Sequence, residues 1–436
     1  MNSANGKNLS FEILCEDYTA TYGPRLGKLL IRGRRPIETP NFFGITSRGV
    51  IPHITPDVMA SHIQVGGVHI ALEDIFKKED LSTSNKDSSL HEFAAVPRRV
   101  TTLLAPRRTP AVLAPNGNSN SSITIFALNG FQEISNKNYI GLTRKLSPDI
   151  AIAMADIPYG SGPGVKRVAK MVRRTQAWVS ETIHEKSENQ ATFAPILPLK
   201  ASEQSEYLEY ISNHASDCID GLALYSSSML QDIPATISIL RLPRLTLDEP
   251  SSPLDILRKI TIGIDIFTVP FISNATDAGF ALTFSFHLSP QFDGEVTKKT
   301  GKLSLGTDMW ESVHSTSLIP LSDGCECYTC SHHHRAYVQH LLCAKEMLGW
   351  VLLQVHNHHI LCEFFRSVRK SISSGCFPED CEKFGELYSD FMPEKTRKPI
   401  RIKGYHFKKE DLSRENVDSE SCESTRLDKY LGLQVD

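Results

Sequence analysis

The sequence predicts an α/β fold, a TIM-type (β/α)8 barrel with a metal-binding appendage near its C-terminus, on three observations. Short apolar runs alternate with amphipathic helical patterns over about 250 residues, the span that a single such barrel usually takes. No G-x-G-x-x-G follows the early runs, which counts modestly against the rival architecture, a doubly wound open sheet. Eight of the ten cysteines crowd between Cys325 and Cys422 instead of spreading through the chain.

The apolar runs at 123–129 (ITIFALN), 149–156 (DIAIAMAD), 192–197 (TFAPIL), 221–225 (GLALY) and 264–271 (IDIFTVPF) show no polar alternation. Strands covered on both faces, as in a parallel sheet, read this way. Residues 166–185 predict an amphipathic helix, with Val168, Met171, Val172, Trp178, Val179 and Ile183 inward. Its outward face carries Lys166, Arg167, Lys170, Arg173 and Arg174. Shorter helices are predicted at 203–214 and 254–262. Polar stretches at 82–89, 116–122 and 289–301 read as mobile loops. The expected organisation is a disordered start at 1–10, the barrel at 11–320, a zinc-binding helical subdomain at 321–372 and a partly helical or disordered extension at 373–436.

Apolar residues at 40% and charged residues at 22% are ordinary for a globular protein, and a net charge of −3 gives no overall attraction for nucleic acid. No run approaches the roughly 18 to 20 apolar residues that cross a bilayer. The start, MNSANGKNLSFEIL, has neither a secretion signal nor an Arg-rich import pattern, so the cytoplasm is the expected location. In that compartment a local cysteine cluster points to a metal and not to a disulfide framework.

Cys325, Cys327 and Cys330 form C-x-C-x2-C, and three thiolates this close can converge on one centre only if the chain folds tightly around it. Ordinary buried thiols are the bland alternative. A helix predicted at 335–355 carries an apolar stripe through Tyr337, Leu341, Leu342, Leu348, Val351, Leu352 and Val355, and would bring His356 back to the knuckle. His332, His333, His334, His340, His358 and His359 compete for the fourth place, and spacing alone does not choose between them. A Cys3His set leaves no position for water, so its expected role is structural.

The knuckle, followed by Arg335-Ala336-Tyr337, His340-Leu341, Glu346 and His356-Asn357, resembles the zinc segment of the tRNA-guanine transglycosylases. That resemblance makes His356 the fourth ligand of one structural Zn2+. It extends to Arg25-Leu26-Gly27-Lys28, Ile37-Glu38-Thr39-Pro40, 48–55, Gly130-Phe131-Gln132, Pro148-Asp149-Ile150-Ala151 with Asp156, Gly221-Leu222-Ala223 and 254–267. Most of residues 11–372 is covered. The family is a TIM barrel with a zinc-bearing appendage, and it exchanges the wobble guanine of tRNAs with GUN anticodons for a deazaguanine base.

Base exchange at a ribose needs a carboxylate nucleophile, carried in active members within G-V-D-M-F-D-C-V. The similar segment here is 263–270 (GIDIFTVP), which puts Thr268 in the nucleophile's place and matches Asp265 to the first, non-nucleophilic aspartate. The family's D-S-G-G-F-Q is matched by 127–132 (ALNGFQ), which puts Ala127 where a second carboxylate would handle protons. Asp156 matches an aspartate that reads the base in active members. It is followed by Ile157-Pro158, and 195–198 (PILP) stands for the expected Q-G-G, so Asp156 is expected to be structural.

Losing both aspartates while keeping the metal motif is the pattern of a non-catalytic subunit. Eukaryotic members pair a catalytic chain with a catalytically silent paralogue, through surfaces near the zinc appendage. The resemblance implies that this chain is the silent one, with a catalytic subunit and tRNA as partners, and it also implies peripheral association with the mitochondrial outer membrane. The competing expectations are an active transglycosylase using other residues, and an unrelated zinc-stabilised interaction module. The helix face at 166–174 and the run Arg32-Gly33-Arg34-Arg35 are candidate phosphate contacts, although an exposed charged face is ordinarily just solvated. His332, His333 and His334 are expected to be exposed polar residues.

Overall fold

The computed structural model describes residues 8–16, 21–76, 89–112, 114, 117–157, 162–187, 190–286 and 301–393. Eight parallel strands close into a barrel: β1 (Asn41–Ile45), β2 (Gly67–Ala71), β3 (Thr101–Ala105), β4 (Ile150–Ile152), β5 (Ala191–Ile196), β6 (Gly221–Leu224), β7 (Arg244–Thr246) and β8 (Ile266–Thr268). They pair in chain order, with β8 closing on β1. β2, β3, β4, β5 and β6 are buried throughout, because helices cover one face and the barrel interior the other.

A three-stranded antiparallel sheet (Leu9–Glu16, Arg25–Ile31 and Ile37–Thr39) caps the N-terminal end of the barrel. Its Leu9, Leu29, Ile31 and Ile37 join Phe43, Leu103, Phe193, Leu245 and Ile266 in one core. The first described strand thus begins at Leu9, inside the stretch 1–10 expected to be disordered. Arg25 binds Asp265 through two bonds, Nε–Oδ1 at 2.9 Å and Nη2–Oδ2 at 2.6 Å, which ties the cap to the barrel. Asp265 also accepts from the Arg244 amide at 2.8 Å and is fully buried. Its work is structural.

Two expected elements differ. The run at 123–129 is not a barrel strand: Ser122–Ala127 pairs only with Gly130–Ser135, as an antiparallel hairpin beside the barrel. Gly130 sits at φ +94°, and Asn129-Gly130 is the local signal for such a turn. The polar stretch at 116–122 is not loose over its described residues either. Asn118 donates to Asp156 at 2.6 Å, and Asn120 accepts from Arg174 at 2.8 Å and from the Trp178 indole at 3.1 Å. The stretches 77–88 and 287–300, which hold most of the other two expected loops, lie outside the described residues.

The helix Val165–Glu185 buries Val168, Met171, Val172, Trp178 and Val179, and Ile183 packs against the same core. The expected helix at 203–214 is a 3-10 turn at Ala201–Glu203, an α-helix at Ser205–Tyr210 and a π-helical segment at Ile211–Ala215. The helix Pro253–Thr261 starts at a Ser252 cap that accepts from the Asp255 amide.

The appendage has its own core of Ala281, Met309, Leu321, Val338, Leu342, Trp350 and Leu353, which reaches back beyond the expected boundary at 321 to the ribbon Phe280–Leu282 and Gly306–Asp308. The helix expected at 335–355 is broken. Arg335–Cys343 ends, Lys345 turns at φ +59°, and a 28-residue helix runs from Met347 to Ser374. That long helix packs Phe365 on Phe42 of β1 and Phe267 of β8, so it forms part of the barrel's outer wall. A last helix, Phe377–Leu387, packs Phe384 on Phe364. Residues 394–436, the rest of the expected extension, lie outside the described residues. No described helix is long and apolar enough to cross a membrane.

Candidate metal centre and barrel rim

The knuckle folds because Cys327 caps the short helix Tyr328–His332, its sulfur accepting from the Cys330 amide at 3.3 Å. Thr329 anchors that helix by donating to the Leu352 carbonyl at 2.7 Å. His356 stands in the third turn of the long helix, not at a helix end, and is fully buried. Its Nδ1 faces Cys325, Cys327 and Cys330 at 3.6, 3.5 and 3.4 Å, and the four ligand atoms lie within 4.8 Å of one another.

The other ring nitrogen fixes the tautomer. Nε2 lies 2.8 Å from the Leu282 carbonyl, which can only accept, so in the neutral ring Nε2 carries the proton and Nδ1 offers its lone pair to the sulfurs. Asn357 holds the same strand: its Oδ1 accepts from the Leu282 amide at 2.8 Å, and its Nδ2 donates to the Phe280 carbonyl at 3.0 Å. Burial disfavours a charged imidazole, but the neighbouring Cys327 and Cys330 sulfurs outweigh it, and the His356 pKa rises to about 9. Within the cysteine cluster, hydrogen bonds from Cys325 and Cys327 push the Cys330 thiol far down. Cys325 is pushed up by hydrogen bonding with Cys327 and Cys330. Such a site gives up protons when a cation enters.

None of the competing histidines joins this set. His332 stacks on Tyr328 with ring centroids 4.5 Å apart, and His333 stacks on Tyr337 at 5.0 Å. His358 is buried against Phe42, bonds the Gln354 carbonyl at 3.0 Å, and has its pKa lowered to about 4 by burial. His340 is exposed and His359 half-buried.

Chemistry in a TIM barrel sits on the loops that leave the C-terminal ends of the strands. Thr268 ends β8 and is fully buried, and its hydroxyl donates to the Thr246 carbonyl of β7 at 3.4 Å. Ala127 does not end a barrel strand. It closes the side hairpin opposite Gly130, and β3 runs instead into Arg107 and Arg108. The hairpin leans on the rim: the Phe126 amide donates to Glu73 at 3.1 Å, and Arg108 donates to the Phe126 carbonyl at 2.8 Å.

Four carboxylates that closely follow strand ends are already engaged. After β2, Glu73 pairs with Arg108 at 3.2 Å and Asp74 with the same residue at 3.1 Å. After β7, Asp248 pairs with Lys259 at 3.1 Å and accepts from the Ser227 hydroxyl at 2.7 Å. After β4, the fully buried Asp156 is gripped by Arg167, by Arg174 at 3.0 Å and by Asn118. Burial would raise the Asp156 pKa, but those three hydrogen bonds hold it below the ordinary carboxylate value. Arg167 and Arg174 therefore face inward, while Lys166, Lys170 and Arg173 stay exposed. Their spacing of two helical turns was the available signal for that pairing. The role of Asn118 left no such signal.

The family model described as queuine tRNA-ribosyltransferase matches residues 20–390. The chain is 36% identical over 393 residues to queuine tRNA-ribosyltransferase accessory subunit 2 of Schizosaccharomyces pombe, covering 88% of this chain and 86% of that protein. It is 28% identical over 399 residues to the protein of the same description from Xenopus tropicalis, covering 81% and 94%. Against the one from Drosophila pseudoobscura pseudoobscura, identity is 26% over 415 residues, covering 89% and 96%.

Proposed function

The chain belongs to the queuine tRNA-ribosyltransferase family, and we propose that within it this protein is the non-catalytic, accessory subunit of a heterodimer that exchanges guanine for queuine at the wobble position of tRNAs with GUN anticodons. One observation carries this. Thr268, the residue that the resemblance puts in the nucleophile's place, turns its hydroxyl to a backbone carbonyl with no base in hydrogen-bond contact among the described residues. A hydroxyl needs such a base before it can attack a ribose. The ion-paired rim supports the same view, since a carboxylate held by two guanidiniums is neither a free nucleophile nor an open acceptor for a base.

We assign zinc to the Cys325, Cys327, Cys330 and His356 set. Tetrahedral zinc with bonds of about 2.3 Å to sulfur and about 2.0 Å to nitrogen separates S from N by roughly 3.5 Å. The 3.4–3.6 Å spacings fit that value. Bound there, zinc would neutralise the thiolates and join the knuckle to the long helix. The closed ligand set gives it no catalytic position.

On this reading the partner binds the appendage, where Val313, Leu318, Ile319, Met347 and Leu348 are exposed apolar side chains, with Leu318 at 75% and Met347 at 69%. Apolar groups left in water in this number mark a surface for another protein. The deciding experiment measures queuine exchange into a GUN-anticodon tRNA with this chain alone, the catalytic paralogue alone, and both. Activity that appears or rises only in the mixture is expected. Exchange by the lone chain would refute the proposal.

A further inference from the structure

We propose that the arginine cluster at the base of the barrel binds RNA phosphates, which rests on the accessory-subunit proposal and gives its tRNA contact a location. Two turns build the cluster. The turn between strands Arg25–Ile31 and Ile37–Thr39 carries Arg32, Arg34 and Arg35, and the turn leading into β3 carries Arg98 and Arg99. The Arg35 amide donates to the Arg99 carbonyl at 3.1 Å, and Arg34 Nη1 to the Arg98 carbonyl at 2.6 Å. Arg34 is committed to Asp149 at 2.9 Å, and Arg99 to the Ala60 carbonyl. These two fix the frame.

Arg32, Arg35 and Arg98 are exposed and have no salt bridge among the described residues. The acids nearby are occupied. Asp149 is shared between Arg34 and His91, Glu92 caps a helix with Ser89, and Glu38 faces Arg369 at 3.4 Å. Three uncompensated guanidiniums on a braced surface concentrate positive potential in a chain whose net charge is −3. Guanidinium suits phosphate oxygens, which it can meet with two parallel bonds. The rival basic run at 166–174 has lost Arg167 and Arg174 to Asp156, leaving three cations on a solvated helix face.

The test uses the full-length chain with its catalytic partner and a fluorescein-labelled tRNA, followed by anisotropy from about 50 to about 300 mM KCl. The triple variant R32A/R35A/R98A is expected to bind about tenfold more weakly near physiological salt. Its slope of log affinity against log salt should flatten by about 2 to 3, since each lost phosphate contact removes roughly 0.7 to 0.9. Partner pairing and thermal stability should be unchanged, and K166A/K170A/R173A should keep nearly the wild-type slope. Equal affinity and slope in R32A/R35A/R98A would overturn the phosphate site and leave the accessory role standing. A wild-type chain that adds nothing to the partner's tRNA affinity would end both. Lost pairing, or lost binding to phosphatidylserine vesicles with tRNA affinity intact, would also overturn the RNA assignment.

Discussion

Arg174 meets Asp156 at 3.0 Å from a position two helical turns beyond Arg167, which grips the same carboxylate. One helix thus grips a single buried carboxylate from two of its turns. Arg174→Ala leaves Asp156 buried with one guanidinium that is itself 31% exposed, and should cost on the order of 2 kcal/mol at pH 7. Asp156 has a lowered folded pKa, so its stabilisation is present above about pH 4 and lost as pH falls through the folded value. Urea unfolding at neutral pH and near pH 3 should show the gap between wild type and variant closing in acid. A gap that widens would mean that the pair is not ionic.

Thr268→Asp restores a carboxylate at the end of β8 without changing the rest of the rim. No covalent tRNA adduct should appear on denaturing gels, and exchange by the lone chain should stay at background. A trapped adduct would show that this rim needs only one group to become catalytic.

Cys327→Ser removes one ligand and leaves the buried His356 facing an incomplete set. Metal content measured by mass spectrometry should fall from about one zinc per chain to near none. Thermal unfolding should drop by about 10 °C, the scale of a loss of several kcal/mol in a chain this large. Full zinc content with an unchanged melting temperature would remove Cys327 from the ligand set.

Burial lifts Asp74 to a pKa of about 6 in spite of Arg108 beside it. A carboxyl raised above its unfolded value costs stability as pH climbs from about 4 through 6. Asp74→Asn should therefore gain relative to wild type by about 1 kcal/mol between pH 5 and pH 7.5. Denaturant midpoints at the two pH values test this, and a gain running the other way would show that the Arg108 pair outweighs burial.

Leu318→Asp with Met347→Asp places charge on the exposed apolar surface of the appendage. Pairing with the catalytic subunit should weaken at least about tenfold by mass photometry, with zinc content unchanged. Undiminished pairing would move the interface elsewhere.

The metal set was legible because Cys325, Cys327 and Cys330 are held together by chain connectivity, whatever the fold does. The position of His356 within its helix was not, because the break depends on a left-handed turn at Lys345, a lysine where a glycine would have announced it. β4, β5, β6 and β8 announced themselves as apolar runs, whereas β7, three residues with Arg244 and Thr246 around one leucine, did not. β1, β2 and β3 did not, being five residues each and broken by Gly44, His69 and the pair Thr101 and Thr102. The hairpin was misread because Ile123, Ile125 and Ala127 are buried as deeply as barrel residues, although their partner strand is only partly buried. The rim's ion pairs join residues such as Glu73 and Arg108 that only tertiary structure brings together.

Phe365 seals the seam between β1 and β8 from a helix that also supplies His356. The earliest barrel strand in the chain therefore waits for a lid made more than 300 residues later. No nascent or proteolysed form ending ahead of that helix can hold a finished barrel, so the appendage cannot be trimmed away as a detachable module.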